Sequence, residues 1–139
     1  MRSFLITTLI CMASSTLNAS VTYSVSFPNA IGHYCQITIE IEKPKSNIVR
    51  FKMPVWTPGS YKVREFSQNI DQTWYEANGK EFAPNRIDKN TWECRGTKGT
   101  SLKFTYNLYA FEMGVRTSFV DQNVAFLHGP SAFIYAEGY

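Results

Sequence analysis

An all-β fold is predicted by this sequence: an antiparallel β-sandwich or curved open sheet, forming a single domain after a signal peptide. Three observations predict it. Four segments alternate apolar and polar residues with period two, turn-forming residues fall between them, and no segment beyond the leader carries a helical stripe. The composition agrees: the 139 residues are 44% hydrophobic, 15% aromatic and 18% charged, the balance of a globular chain.

Residues 1–19 stand apart. One basic residue, Arg2, precedes the apolar run Phe4 to Met12, and small and polar residues follow down to Leu17-Asn18-Ala19. This is the order of a secretory signal peptide, and the run is too short for a permanent bilayer anchor. Cleavage is expected after Ala19, giving an exported product, periplasmic or secreted, without a membrane anchor. Cys11 leaves with the leader. Cys35 and Cys94 remain, and in an oxidising compartment they could form one disulfide or stay as two separately buried thiols.

In residues 20–139, Val21, Tyr23, Val25 and Phe27 alternate with Thr22, Ser24 and Ser26, which predicts a first strand with the four apolar residues on its core face. Pro28-Asn29 and Gly32 end it. Ile37, Ile39 and Ile41 define a second strand, closed by the turn Lys43-Pro44-Lys45-Ser46-Asn47. Val49, Phe51 and Met53 define a third. Asn78-Gly79 and the Gly96 to Gly99 stretch mark further turns, and Leu102, Phe104, Tyr106 and Leu108 define a long later strand before Gly129-Pro130. The final "SAFIYAEGY" suggests a strand end leading into a connection, and hence a domain with a continuation.

The net charge is +3, and Lys and Arg form no cluster, so no nucleic-acid partner is expected. HExxH, GxSxG, Walker and GxGxxG signatures are absent. His33 and His128 are the only imidazoles and sit in no zinc spacing. No catalytic residue, metal site or cofactor is expected in this chain.

Two segments carry concentrated chemistry. "MPVWTPGSYKVREF", Met53 to Phe66, holds two prolines that remove N–H donors and a Pro58-Gly59 turn. It also presents Trp56 and Tyr61 as rings with polar handles, Arg64 as a planar fork and Glu65 as a carboxylate. The loop is either a contact for a ligand or partner domain, or a corner with Trp56 in the core and Arg64 paired to a carboxylate. "YAFEMGVRTSFVDQNVAFLHG", Tyr109 to Gly129, sets Arg116 among apolar residues, where it should find Asp88 or Asp121. Phe119, Val124, Phe126 and Leu127 are its expected core face.

"MPVWTPGSYKVREF", "DKNTWEC" and "YAFEMGVRTSFVDQNVAFLHGPSAFIY" together resemble the N-terminal domain of the glycyl aminopeptidase family, peptidase family sixty-one, from about Tyr23 to the last residue. The resemblance implies a β-rich N-terminal domain over 20–139 of an exported zinc metallopeptidase, with the zinc and its HExxH in a catalytic domain of the same polypeptide that this chain lacks. By itself the chain should be inactive. Its partner would be that catalytic domain, and peptide the substrate class. Trp56, Tyr61, Arg64 and Glu65 would face the substrate or the domain interface, with Glu65 as an anchor for a peptide amine and Arg116 bracing the loop. The rival readings are a stand-alone module holding peptide or carbohydrate on Trp56, Trp74 and Tyr75, and a protein that pairs through a sheet edge.

Overall fold

A computed structural model describes residues 20–139; the signal peptide expected over 1–19 lies outside the described residues. Among the described residues eleven strands occur: β1 (Val21–Asn29), β2 (Tyr34–Ile41), β3 (Ile48–Lys52), β4 (Ile70–Ala77), β5 (Lys80–Phe82), β6 (Asn85–Asp88), β7 (Thr91–Arg95), β8 (Leu102–Tyr109), β9 (Phe119–Val120), β10 (Ala125–Phe126) and β11 (Tyr135–Ala136). A 3-10 turn at Phe66–Asn69 and one helical turn at Gly129–Ala132 complete the described part. Every strand pairing is antiparallel.

The strands form a five-stranded sheet in the order β1-β2-β8-β4-β5, a four-stranded sheet in the order β11-β3-β7-β6, and the small β10-β9 ribbon. The two larger sheets pack face to face. Phe51 of β3 stacks on Phe104 of β8 at 4.3 Å between ring centroids, and Trp92 of β7 lies against the same ring at 6.3 Å. The period-two pattern explains the packing: Ile37, Ile39 and Ile41 of β2 and Leu102, Phe104, Tyr106 and Leu108 of β8 all turn inward and are buried. Asn78 and Gly79 both take positive φ, 55° and 69°. That is the two-residue hairpin turn that joins β4 to β5 between the paired Ala77 and Lys80.

β1 departs from its expected burial. Val21 packs on the core, but Tyr23, Val25 and Phe27 remain 40%, 37% and 43% exposed. β1 is the edge of the wider sheet and overhangs the narrower one, so the correct face is presented with little opposite it. Tyr23 is held there by its hydroxyl, which donates to the Ile134 carbonyl at 2.8 Å, and by an edge contact with Phe133.

The disulfide considered for Cys35 and Cys94 is not formed. Cys35 lies on β2 of one sheet and Cys94 on β7 of the other, and both are free, buried thiols. Burial pushes the Cys35 thiol up to about 11 and raises that of Cys94 further still.

Candidate functional site

The Met53–Phe66 loop is closed by its own hydrogen bonds. Pro58 and Gly59 are the corners of a turn in which Ser60 N–H donates to the Thr57 carbonyl at 3.1 Å, with Gly59 at φ 78°. A β-carbon is disfavoured at that φ, which is why glycine follows the proline. The Trp56 ring N–H donates to the Ser60 carbonyl at 2.7 Å, and the Arg64 N–H to the Val55 carbonyl at 2.7 Å. The loop thus closes on itself while it carries the chain from β3 of the four-stranded sheet to the 3-10 turn before β4 of the five-stranded sheet. Trp56 is half exposed and is no core residue, and Tyr61 projects fully into solvent.

A second loop lies alongside. Between β8 and β9 the chain turns at Gly114, with Thr117 Oγ1 donating to the Glu112 carbonyl at 2.8 Å. Arg116 reaches across and donates from Nη2 to the Gly59 carbonyl at 3.0 Å. The expected carboxylate partners are occupied elsewhere. Asp88 accepts the Asn90 N–H, and Asp121 accepts those of Asn123 and Val124, all at 2.7–2.8 Å. These backbone donors hold both carboxyls below their usual range. The expected core face in this segment is also different: Val120 is buried, Leu127 packs against the core, and Val124 and Phe126 are exposed. The short β9–β10 ribbon turns those two side chains outward.

Behind the two loops lies a cleft of about 380 Å³, lined by Arg64, Glu65 and the 3-10 turn on one side and by the end of β8 with Phe111, Glu112, Thr117 and Ser118 on the other. Arg64 is half buried, its Nε has no hydrogen-bond partner, and none of the four ion pairs among the described residues includes it. Glu65 pairs instead with Lys89 at 2.8 Å, and that hydrogen bond and charge lower its pKa. Glu65 is therefore no free anionic anchor. The floor is set by a closed ring of hydrogen bonds: His128 N–H donates to Ser118 Oγ, the Ser118 hydroxyl meets Ser131 Oγ at 2.9 Å, and the Ser131 hydroxyl donates to the His128 carbonyl.

The structure brings Tyr61, Arg64 and Arg116 into one region together with Trp56, and turns the carboxylate of Glu65 toward Lys89. Sequence reasoning missed Val63, Met113 and Val115, which are 76%, 79% and 82% exposed on the same two loops. The signal for Met113 and Val115 was the non-alternating "EMGVR", which breaks strand periodicity without becoming polar; Val63 stood in the quoted loop and was passed over for its charged neighbours. Trp74 and Tyr75 are consecutive on β4 and so point to opposite faces; Tyr75 is buried with its hydroxyl donating to the Arg95 carbonyl. With Trp56 they form no common platform.

Residues 22–139 match the family model described as the Peptidase M61 N-terminal domain. The chain belongs to that family. Its Peptidase M61 N-terminal domain is also similar in structure to an aminopeptidase N family protein from Idiomarina loihiensis, with a TM-score of 0.78 and 27% identity. The match covers 86% of this chain and 20% of the Idiomarina chain, so the domain spans about a fifth of that protein's length. No curated protein matches.

Zinc, which the family resemblance implies, does not fit the described residues of the Peptidase M61 N-terminal domain. Among them, no three His, Cys, Asp or Glu side chains are grouped so as to hold a metal ion. No helix among them is long and apolar enough to cross a membrane.

Proposed function

We propose that this domain is the non-catalytic leading part of an exported zinc aminopeptidase of the glycyl aminopeptidase type. In this reading it packs on the catalytic domain and helps to form the substrate cleft. The observation that carries the proposal is the ledge of exposed apolar side chains, Tyr61, Val63, Met113 and Val115, on two loops tied together by the Arg116–Gly59 hydrogen bond. Large apolar side chains left exposed on two loops braced against each other favour an interaction site, because a domain that worked alone would gain nothing from leaving them wet. Any zinc and its ligands would belong to the neighbouring domain. Tyr61 and Arg64 face the interface or the cleft, and Arg116 keeps their loop in place.

The test is reconstitution in trans. The catalytic domain of a family relative, made as a separate chain, should form a one-to-one complex with this protein. Tyr61→Asp or Val115→Asp should weaken that complex at least about tenfold, since a buried charge without a partner is costly. This protein by itself should cleave no glycyl anilide. A complex that is indifferent to both substitutions, or peptidase activity from this chain unaided, overturns the proposal.

A further inference from the structure

We infer that the cleft beside Arg64 is a carboxylate-binding site, which takes a small ligand whose carboxylate caps the guanidinium. This narrows the contact role proposed for Arg64 to a ligand class. It rests on the domain reading only for the ligand's source, not for its chemistry.

The argument starts from the backbone. The Arg64 N–H is fixed to Val55, and Phe66, two residues on, is buried at the start of the 3-10 turn, so the guanidinium is carried between two anchored points. Its Nε is shielded from solvent yet has no acceptor among the described residues. Buried donors are normally paired, and a charged one loses most when it is not. The nearest carboxylate in sequence, Glu65, is taken by Lys89. The serine hydroxyls at the floor cannot be recruited as donors, because both of their protons are spent within the Ser118–Ser131–His128 ring. They make a stiff wall and leave Arg64 as the anchor.

Shape and charge then select the ligand. A carboxylate matches the guanidinium edge with two parallel N–H···O bonds, which an alcohol or amide oxygen cannot supply. The side-chain amides of Gln68 and Asn69 lie on the same wall and can donate to a ligand oxygen, while Phe66 and Leu108 give apolar contact. The exposed Glu112 also lines the cleft, whereas the Glu65 charge is met by Lys89. The Glu112 charge disfavours a phosphate with two negative charges and tolerates a ligand that adds an ammonium group to its carboxylate. The geometry therefore points to an amino acid or a short peptide terminus, or to one acidic side chain of a docked domain. All share the same carboxylate.

The experiment uses the full chain labelled with nitrogen-15 and follows the Arg64 Nε–H resonance by NMR. Sodium acetate and glycylglycine are titrated against sodium chloride at matched ionic strength, with glycylglycinamide as the peptide that lacks a carboxylate. A saturable shift with acetate or glycylglycine, absent with chloride and glycylglycinamide, supports the site. Tighter binding of glycylglycine then assigns a peptide terminus, and equal binding of both assigns an isolated side-chain carboxylate. Arg64→Gln should weaken binding at least about tenfold, read from the amides of Gln68 and Asn69. Arg64→Lys, which keeps the charge and loses the fork, should also weaken it, and an unchanged thermal transition shows that both variants are folded. No shift, an equal shift with chloride, or unchanged affinity in folded Arg64→Gln overturns the inference. None of these outcomes depends on whether a catalytic domain docks.

Discussion

Tyr106 offers the sharpest test of how the cleft floor is held. Its side chain is fully buried on β8, and its hydroxyl works in both directions: it donates to the Ala132 carbonyl at 2.7 Å and accepts from the Ile134 N–H at 3.2 Å. That one oxygen ties the large sheet to the segment that carries Ser131 and β11. Burial raises the phenol far above its ordinary value, so it stays protonated wherever the fold survives. Tyr106→Phe keeps the ring and removes the oxygen, which leaves a buried carbonyl and a buried amide without this partner. Each such group costs about 1–3 kcal/mol, so the substitution should destabilise by about 2–6 kcal/mol. For a domain of this size that corresponds to a fall in Tm of about 8–24 °C. Urea unfolding gives the energy, and hydrogen exchange at the Ile134 amide locates it. A loss below about 0.5 kcal/mol with unchanged exchange at Ile134 refutes the bridge.

Three further predictions follow from the ion pairs, the loops and the thiols. Glu93 is buried between Arg50 at 3.2 Å and Arg95 at 2.8 Å, and the Arg50 hydrogen bond, followed by that of Arg95, lowers its pKa from the ordinary 4.5. Because the folded value is the lower one, the unfolded chain binds more protons in this window and stability falls as pH drops from about 4.5 through the depressed value; Glu93→Gln should flatten that slope in acid unfolding curves. Arg116→Ala removes one exposed hydrogen bond, so it should cost only about 0.5–1 kcal/mol yet speed hydrogen exchange at Ser60 several-fold; equal exchange in the variant means that the loops are not coupled. Cys35 and Cys94 should resist iodoacetamide in the native protein and react only after unfolding, with no change in the intact mass on reduction; a two-dalton gain on reduction would reveal a disulfide.

The strands were legible where one side of the chain is buried and the other is wet. β2, β3 and β8 announce themselves because every second residue meets the core. β4 did not, because Gln72 takes φ 45° and its pairing with β8 slips between Asp71 and Thr73, which breaks the alternation. β7 was hidden for another reason. Thr91-Trp92-Glu93-Cys94-Arg95 does alternate, but with only two apolar residues the run is too short to declare a period, and the structure buries Thr91 and Glu93 as well, Glu93 beneath its arginines. Period two reveals which side chains share a face but not how far the opposite sheet extends, and this is why Tyr23, Val25 and Phe27 are wetter than their pattern suggests. In the candidate site, the Pro58-Gly59 turn and the residues it presents could be read directly. The partner of Arg116 could not, because a backbone carbonyl leaves no mark in the sequence, and the apolar ledge depends on where two distant loops meet.

The overhanging rim has a practical corollary for anyone handling the domain on its own. Along β1 one row of backbone donors and acceptors faces no neighbouring strand among the described residues, and beneath it lie Tyr23, Val25 and Phe27, so the rim is a template onto which a second molecule can add. Concentrated preparations should therefore oligomerise through it. An inward-pointing lysine, as in Val25→Lys, is the remedy the geometry recommends, since it penalises stacking of rims and leaves the two braced loops untouched.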